Sequence, residues 1–180
     1  MTVFPFAGWG NLVFFDTEEH QIPNNLMTLA EIPKLGNQWR VIHDFKPTEY
    51  LQAENPPTTA TLSLRVVFMG DNKTIIAIEF PFPKIGLAHA FHDENMERRT
   101  EYAVTSTQLP KVGEWTRMEI GHEKVDDKFF LSLSVGGMEV GRKEVDDPGL
   151  RKPTDVKVRI GSLTQRIQPG FIRRLVVLEK

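Results

Sequence analysis

Apolar and polar positions alternate with a period of two along most of this chain. Within Lys128–Val135, Phe129, Leu131, Leu133 and Val135 fall on one face, and Phe130, Ser132 and Ser134 on the other. That pattern marks a strand with one face on a core. Val156, Val158 and Ile160 alternate in the same way with Asp155, Lys157 and Arg159. The run Phe171–Leu178 is more continuously apolar, which predicts a strand covered on both faces or one that carries a bulge. The pattern predicts strands at Asn11–Asp16, Gln38–Lys46, Thr59–Met69, Thr74–Phe80, Gly86–His92, Thr100–Thr105, Trp115–Glu123, Lys128–Val135, Met138–Val145, Asp155–Gly161 and Phe171–Leu178. Asn55-Pro56-Pro57, Gly70-Asp71-Asn72, Gly136-Gly137 and Asp147-Pro148-Gly149 punctuate them. Gly-Gly between apolar runs suits a tight hairpin, because glycine reaches positive φ without steric cost. No window holds a helical period, so helix is expected to be minor. Many short, evenly spaced strands with Gly and Pro turns predict an all-β antiparallel sandwich, a jelly roll, as a single domain over residues 1–180.

The last third carries a resemblance. Gly113-Glu114-Trp115, then Met118 and Ile120, a hairpin, and Gly170 ahead of Ile172 and Leu175-Val176-Val177 resemble the laminin G-like branch of the concanavalin A-like sandwiches. The rest of the chain resembles them by strand spacing. The resemblance implies a secreted or extracellular binding module that takes a glycan or a protein. The run Trp39–Tyr50 is similar to secreted jelly-roll proteins of marine invertebrates, the carotenoid-binding proteins of hydrocorals among them. That likeness implies an elongated pigment as ligand.

Composition narrows the choice. A chain of 180 residues buries about 70% of its unfolded surface, enough for a core without staples. The formal net charge of −2 argues against an electrostatic nucleic-acid binder. With no cysteine, disulfides and thiolate metal sites are excluded. No apolar run is long enough to span a membrane, and the N-terminus shows no signal-peptide pattern. The sequon Asn72-Lys73-Thr74 follows Gly70-Asp71 in an expected turn, so Asn72 is a candidate glycan acceptor.

Candidate chemistry is sparse. Phenylalanine dominates the aromatics, 12 against 3 Trp and 2 Tyr. Sugar sites favour Trp and Tyr, whose rings join an apolar body to a polar tip, so the excess points to core or to an apolar ligand. Phe4-Pro5-Phe6-Ala7-Gly8-Trp9 and Phe80-Pro81-Phe82-Pro83-Lys84-Ile85 are apolar yet too rich in Pro or Gly for core strands. Connections run on the surface, so such segments cover a sheet end, a partner subunit or a ligand. Phe4, Phe6, Trp9, Phe80, Phe82 and Ile85 are therefore candidate lining of an apolar groove or a homodimer contact. His43 shares a face with Trp39, Val41 and Phe45, as a hydrogen-bonded core histidine does. His89 and His92, flanking Phe91, lie three apart and point to opposite faces of a strand, a poor metal clamp. These four residues remain candidate ligand contacts.

Glu119-Ile120-Gly121-His122-Glu123 is a partial match to the alternating acids of sandwich glycosidases. Gly121 stands where the middle carboxylate is needed, so the pair lacks its tuning group. Asp71, Asn72, Asp126 and Asp127 are turn oxygens that could serve calcium, but turn Asp residues cap local backbone, and no metal site is predicted. The expectation is a non-catalytic binding protein, needing no cofactor, whose ligand is an elongated hydrophobic molecule, a carotenoid or a lipid. The alternative is a lectin-like or adhesion module for glycan or protein. A degenerate glycoside hydrolase is the third reading.

Overall fold

A computed structural model of the chain describes residues 10–51, 61–70, 73–164 and 166–180. The elements are β1 (Asn11–Gln21), β2 (Met27–Lys34), β3 (Trp39–Pro47), β4 (Thr61–Phe68), β5 (Thr74–Phe80), β6 (Ile85–His92), β7 (Arg98–Ser106), β8 (Thr116–Val125), β9 (Lys128–Val135), β10 (Met138–Glu144), α1 (Pro148–Arg151), β11 (Thr154–Ile160) and β12 (Gly170–Glu179). They form two six-stranded antiparallel sheets, ordered β1-β12-β3-β8-β9-β10 and β2-β11-β4-β5-β6-β7. The fold is a β-sandwich of the jelly-roll kind.

Alternation explains the layers. Trp39, Val41 and Phe45 of β3, Met118 and Ile120 of β8, and Leu131 and Leu133 of β9 point inward from the first sheet. Leu64, Val66 and Phe68 of β4, Ile76 and Ile78 of β5, and Val156 and Val158 of β11 meet them from the second. Trp39 sits between Phe68 and His122, with ring centroids at 5.1 and 5.6 Å. The hairpins follow their turn residues. Gly136 and Gly137 take φ of 62° and 84° between β9 and β10, and Asp126 and Asp127 take 49° and 66° between β8 and β9.

Of the last third, β8, β9 and β10 form the meander, whereas β11 crosses to the second sheet between β2 and β4. β12 shows both features its apolar run predicts. Its register shifts between Arg173 and Val176, with Arg174 at φ 54°. Its outer positions Val176 and Leu178 form a second small apolar cluster with Ile42 of β3. Two elements were not predicted. β2 has only Ala30 and Ile32 buried and carries Pro33, which an edge strand tolerates. The helix α1 is a single turn started by Asp147, whose carboxylate accepts from Gly149 N at 2.8 Å.

Candidate ligand groove

The outer face of the second sheet carries an unusual set of side chains. On β6 the outward positions are Gly86, Ala88 and Ala90, and their neighbour on β5 is Ala77. Small residues at these positions leave the sheet surface low. A groove of about 300 Å³ lies over Ala77, Ala88 and Ala90, bounded by Arg65 and Leu62 of β4, Glu79 and Ile75 of β5, Arg98 and Thr100 of β7, and Thr164. Ile167 forms a parallel bridge with Leu62, which holds the segment before β12 against this end of the sheet.

Tyr102 of β7 stands beside the floor. A Cβ at Gly86 would lie 2.6 Å from the Tyr102 ring, so glycine is what lets that ring settle against β6. The Tyr102 hydroxyl donates to Glu79 Oε2 at 2.8 Å. Burial, and then the Glu79 charge, push the Tyr102 phenol up, and burial raises Glu79 against the pull of that hydrogen bond. Opposite, Arg65 of β4 is paired in register with Arg159 of β11. Burial, and then the Arg159 charge, hold the Arg65 guanidinium below its usual range. The face therefore offers a low apolar floor, one aromatic ring, guanidinium donors and a carboxylate acceptor. That is the kit for a ligand with both a C–H face and hydroxyls.

The residues singled out from the sequence lie elsewhere. Phe4, Phe6, Trp9 and Asn72 fall outside the described residues. Phe80 and Ile85 are buried in the core. Phe82 is half-buried and stacks on Tyr50 at 5.9 Å, and Tyr50 also meets Phe80 at 5.6 Å. The apolar side chains of the 80–85 segment are thus engaged with the core and with Tyr50. His43 is buried with neither ring nitrogen hydrogen-bonded among the described residues, which differs from the expected bonded core histidine, and burial pushes it down to about 3. His89 and His92 point to opposite faces of β6, as their spacing predicts. His89 turns inward, donates to Asp147 Oδ2 at 2.8 Å and stacks on Phe91 at 4.4 Å. Thr74 Oγ1 also donates to Asp147 Oδ2, at 2.9 Å. Burial opposes ionisation of Asp147, but the bonds from His89, Thr74 and Gly149 hold its carboxyl below the usual range. Those contacts pin α1 to β5 and β6.

Glu119 and Glu123 face outward from the first sheet. Both pair with Arg40, Glu119 at 2.9 Å to Nη1 and Glu123 through Nη2 and, at 2.9 Å, Nε. A Cβ at Gly121 would come within 2.7 Å of Ser132 Oγ, so a middle side chain would have to displace that hydroxyl. Burial raises the Glu119 carboxyl, which Arg40 opposes. Asp126 and Asp127 occupy the β8–β9 turn, with Asp127 paired to Lys124 at 2.7 Å.

No protein-family model and no curated protein sequence matches the chain. Solved structures do. Domain 4 of the extracellular arabinanase AbnA from Geobacillus stearothermophilus, solved with arabinotriose, is similar at a TM-score of 0.60 and 12% identity, over 95% of this chain and 93% of that one. The heptameric SAP-like pentraxin of Limulus polyphemus matches at 0.52 and 13%, over 91% and 74%. The receptor-binding domain of botulinum neurotoxin D matches at 0.57 and 10%, over 97% of this chain but 45% of that one. At such identities the likeness is one of fold.

The groove residues do not stand out in the sequence. The Phe-rich 80–85 segment packs largely on the core instead, because phenylalanine is an interior residue. The available signal was the outward set Gly86, Ala88 and Ala90 on a strand whose inward set is Ile85, Leu87 and His89. An outward face of small residues in mid-sheet marks a place where something else can approach.

Proposed function

We propose that this chain is a non-catalytic module that binds a saccharide in the groove over β4–β7. The observation that carries the reading is the low floor of Ala77, Ala88 and Ala90 flanked by Glu79 and Arg65, with Tyr102 beside it on Glu79. A sugar ring presents axial hydrogens to the Tyr102 face and hydroxyls to the carboxylate and guanidinium groups. The similarity to a domain solved with arabinotriose and belonging to an extracellular enzyme supports a saccharide ligand and an extracellular setting. Non-catalytic binding is further supported on the first sheet, where both glutamates are tied to Arg40.

The apolar-ligand reading, a carotenoid or lipid with a homodimer contact, has less behind it. Phe80 and Ile85 are occupied in the core, and Phe82 is engaged with Tyr50. The glycan reading is tested by screening the chain on a glycan array and measuring its best saccharide by calorimetry with the wild type and Tyr102→Ala. Binding is expected, with a loss on Tyr102→Ala of roughly tenfold, the scale of one aromatic contact. A chain that binds no saccharide, yet yields a lipid or pigment on solvent extraction, would overturn it in favour of the apolar ligand.

A further inference from the structure

Arg65 and Arg159 lie directly opposite each other on neighbouring strands, on the outer face of the second sheet. Like charges in that arrangement destabilise a sheet. Several other arginines of this molecule are paired with carboxylates: Arg40 with Glu119 and Glu123, Arg142 with Glu139, Arg99 with Asp93, Arg151 with Asp146. Among the described residues, neither Arg65 nor Arg159 has a carboxylate within 4.0 Å. The Nε of each is also buried without a hydrogen-bond acceptor. An arginine donor withdrawn from water without an acceptor is costly, and two side by side compound the cost. The carboxylate at the groove, Glu79, already accepts from Tyr102. Arg98 adds a third cation on the far wall.

The geometry points to an acidic saccharide as the ligand, its oxyanion substituent held by the Arg65–Arg159 pair while a sugar ring lies over Ala77 and Ala88 toward Tyr102. An oxyanion supplies what the pair lacks: negative charge, and acceptors for a planar guanidinium fork that binds carboxylate or sulfate bidentately. The inference rests on the saccharide reading of the same groove. It adds that the charged substituent, rather than the ring, carries most of the affinity.

The test pairs each acidic glycan with its neutral counterpart. Uronate oligosaccharides are compared with their carboxyl-reduced forms, sialylated glycans with desialylated ones, and sulfated glycans with desulfated ones. Wild type, Arg65→Gln, Arg159→Gln and Tyr102→Ala are titrated at low and high salt. At least one acidic member should bind tenfold or more tightly than its neutral partner, weaken with salt, and lose tenfold or more with either arginine variant. The uronate, sialate and sulfate arms distinguish carboxylate from sulfate as the source of the charge. Equal binding of acidic and neutral members, unaffected by Arg65→Gln but lost on Tyr102→Ala, would overturn this inference and leave the saccharide reading standing. Absence of binding to every saccharide would overturn both. Thermal melting keeps the arginine variants interpretable. Arg159→Gln should melt at or above the wild-type temperature without ligand, because a repulsive neighbour is removed. A clearly lower melting temperature would show the pair to be structural and would overturn the inference.

Discussion

His43 and His122 show what burial does to single side chains here. His43 lies in the core with no acceptor or donor for either ring nitrogen among the described residues, and burial pushes it down to about 3. His122 donates from Nδ1 to Asn37 O at 2.7 Å and stacks on Phe129 at 5.0 Å, yet burial still lowers it to about 4. Both folded values lie below the unfolded histidine value of about 6.5, so the unfolded chain takes up protons first as the pH falls. Stability should therefore be full above about pH 6.5 and decline toward pH 4, by up to about 1.4 kcal/mol per histidine per pH unit. Urea unfolding across that range checks the slope, and a flat profile would contradict the burial of these rings. Replacing His43 with leucine removes two unpartnered polar atoms from the core. His43→Leu should raise stability by about 1–3 kcal/mol at pH 7 and shallow the acid decline. Alternation placed His43 on the Trp39–Val41–Phe45 face. Its missing partner could not be read from the sequence, because a hydrogen bond depends on which residues the opposite sheet brings near.

At the scale of elements, strands with one buried face announce themselves and edge strands do not. β9 matches its alternating run residue for residue, because its inner face packs on the core over its whole length. β2 buries only Ala30 and Ile32, so its pattern fades into polar sequence, and it is fixed by pairing with β11 instead. The β1–β2 connection is held in turn by a close approach at the end of β11. Gly161 has φ 73°, and a Cβ there would lie 1.9 Å from Asn25 O. Gly161→Ala should cost at least about 2 kcal/mol, from the strained backbone and the collision together. A denaturant melt within error of wild type would show that the connection yields freely. Gly86 offers a milder case, since its neighbour is the half-exposed Tyr102 ring. Gly86→Val should swing that ring outward and weaken saccharide binding about fivefold, roughly 1 kcal/mol, with little change in stability. Calorimetry and a thermal melt on one preparation separate the two effects.

For the molecule as a whole, the two outer faces differ in what they leave unsatisfied. The first sheet presents Arg40, Glu119, Glu123, Glu139 and Arg142 as mutually neutralising charges. Phe171 and Trp115 add rings already capped by Lys46 at 4.9 and 4.7 Å. The second sheet presents a groove over an alanine floor, and the arginines of that groove have no carboxylate partner among the described residues. The sandwich was legible in the sequence because strand period and turn chemistry are local. The groove was not, because its floor and walls come from β4, β5, β6, β7 and Thr164 and exist only once those strands are in register. We propose that a saccharide occupies this groove. Methyl-labelled NMR of the full chain during titration with its best glycan tests it most directly. The alanine methyls of Ala77, Ala88 and Ala90 should shift first and saturate together, with the Tyr102 ring following. Shifts centred instead on Ile42, Val176 and Leu178 of the first sheet would place the ligand on the opposite face and rule out the groove over β4–β7 as its site.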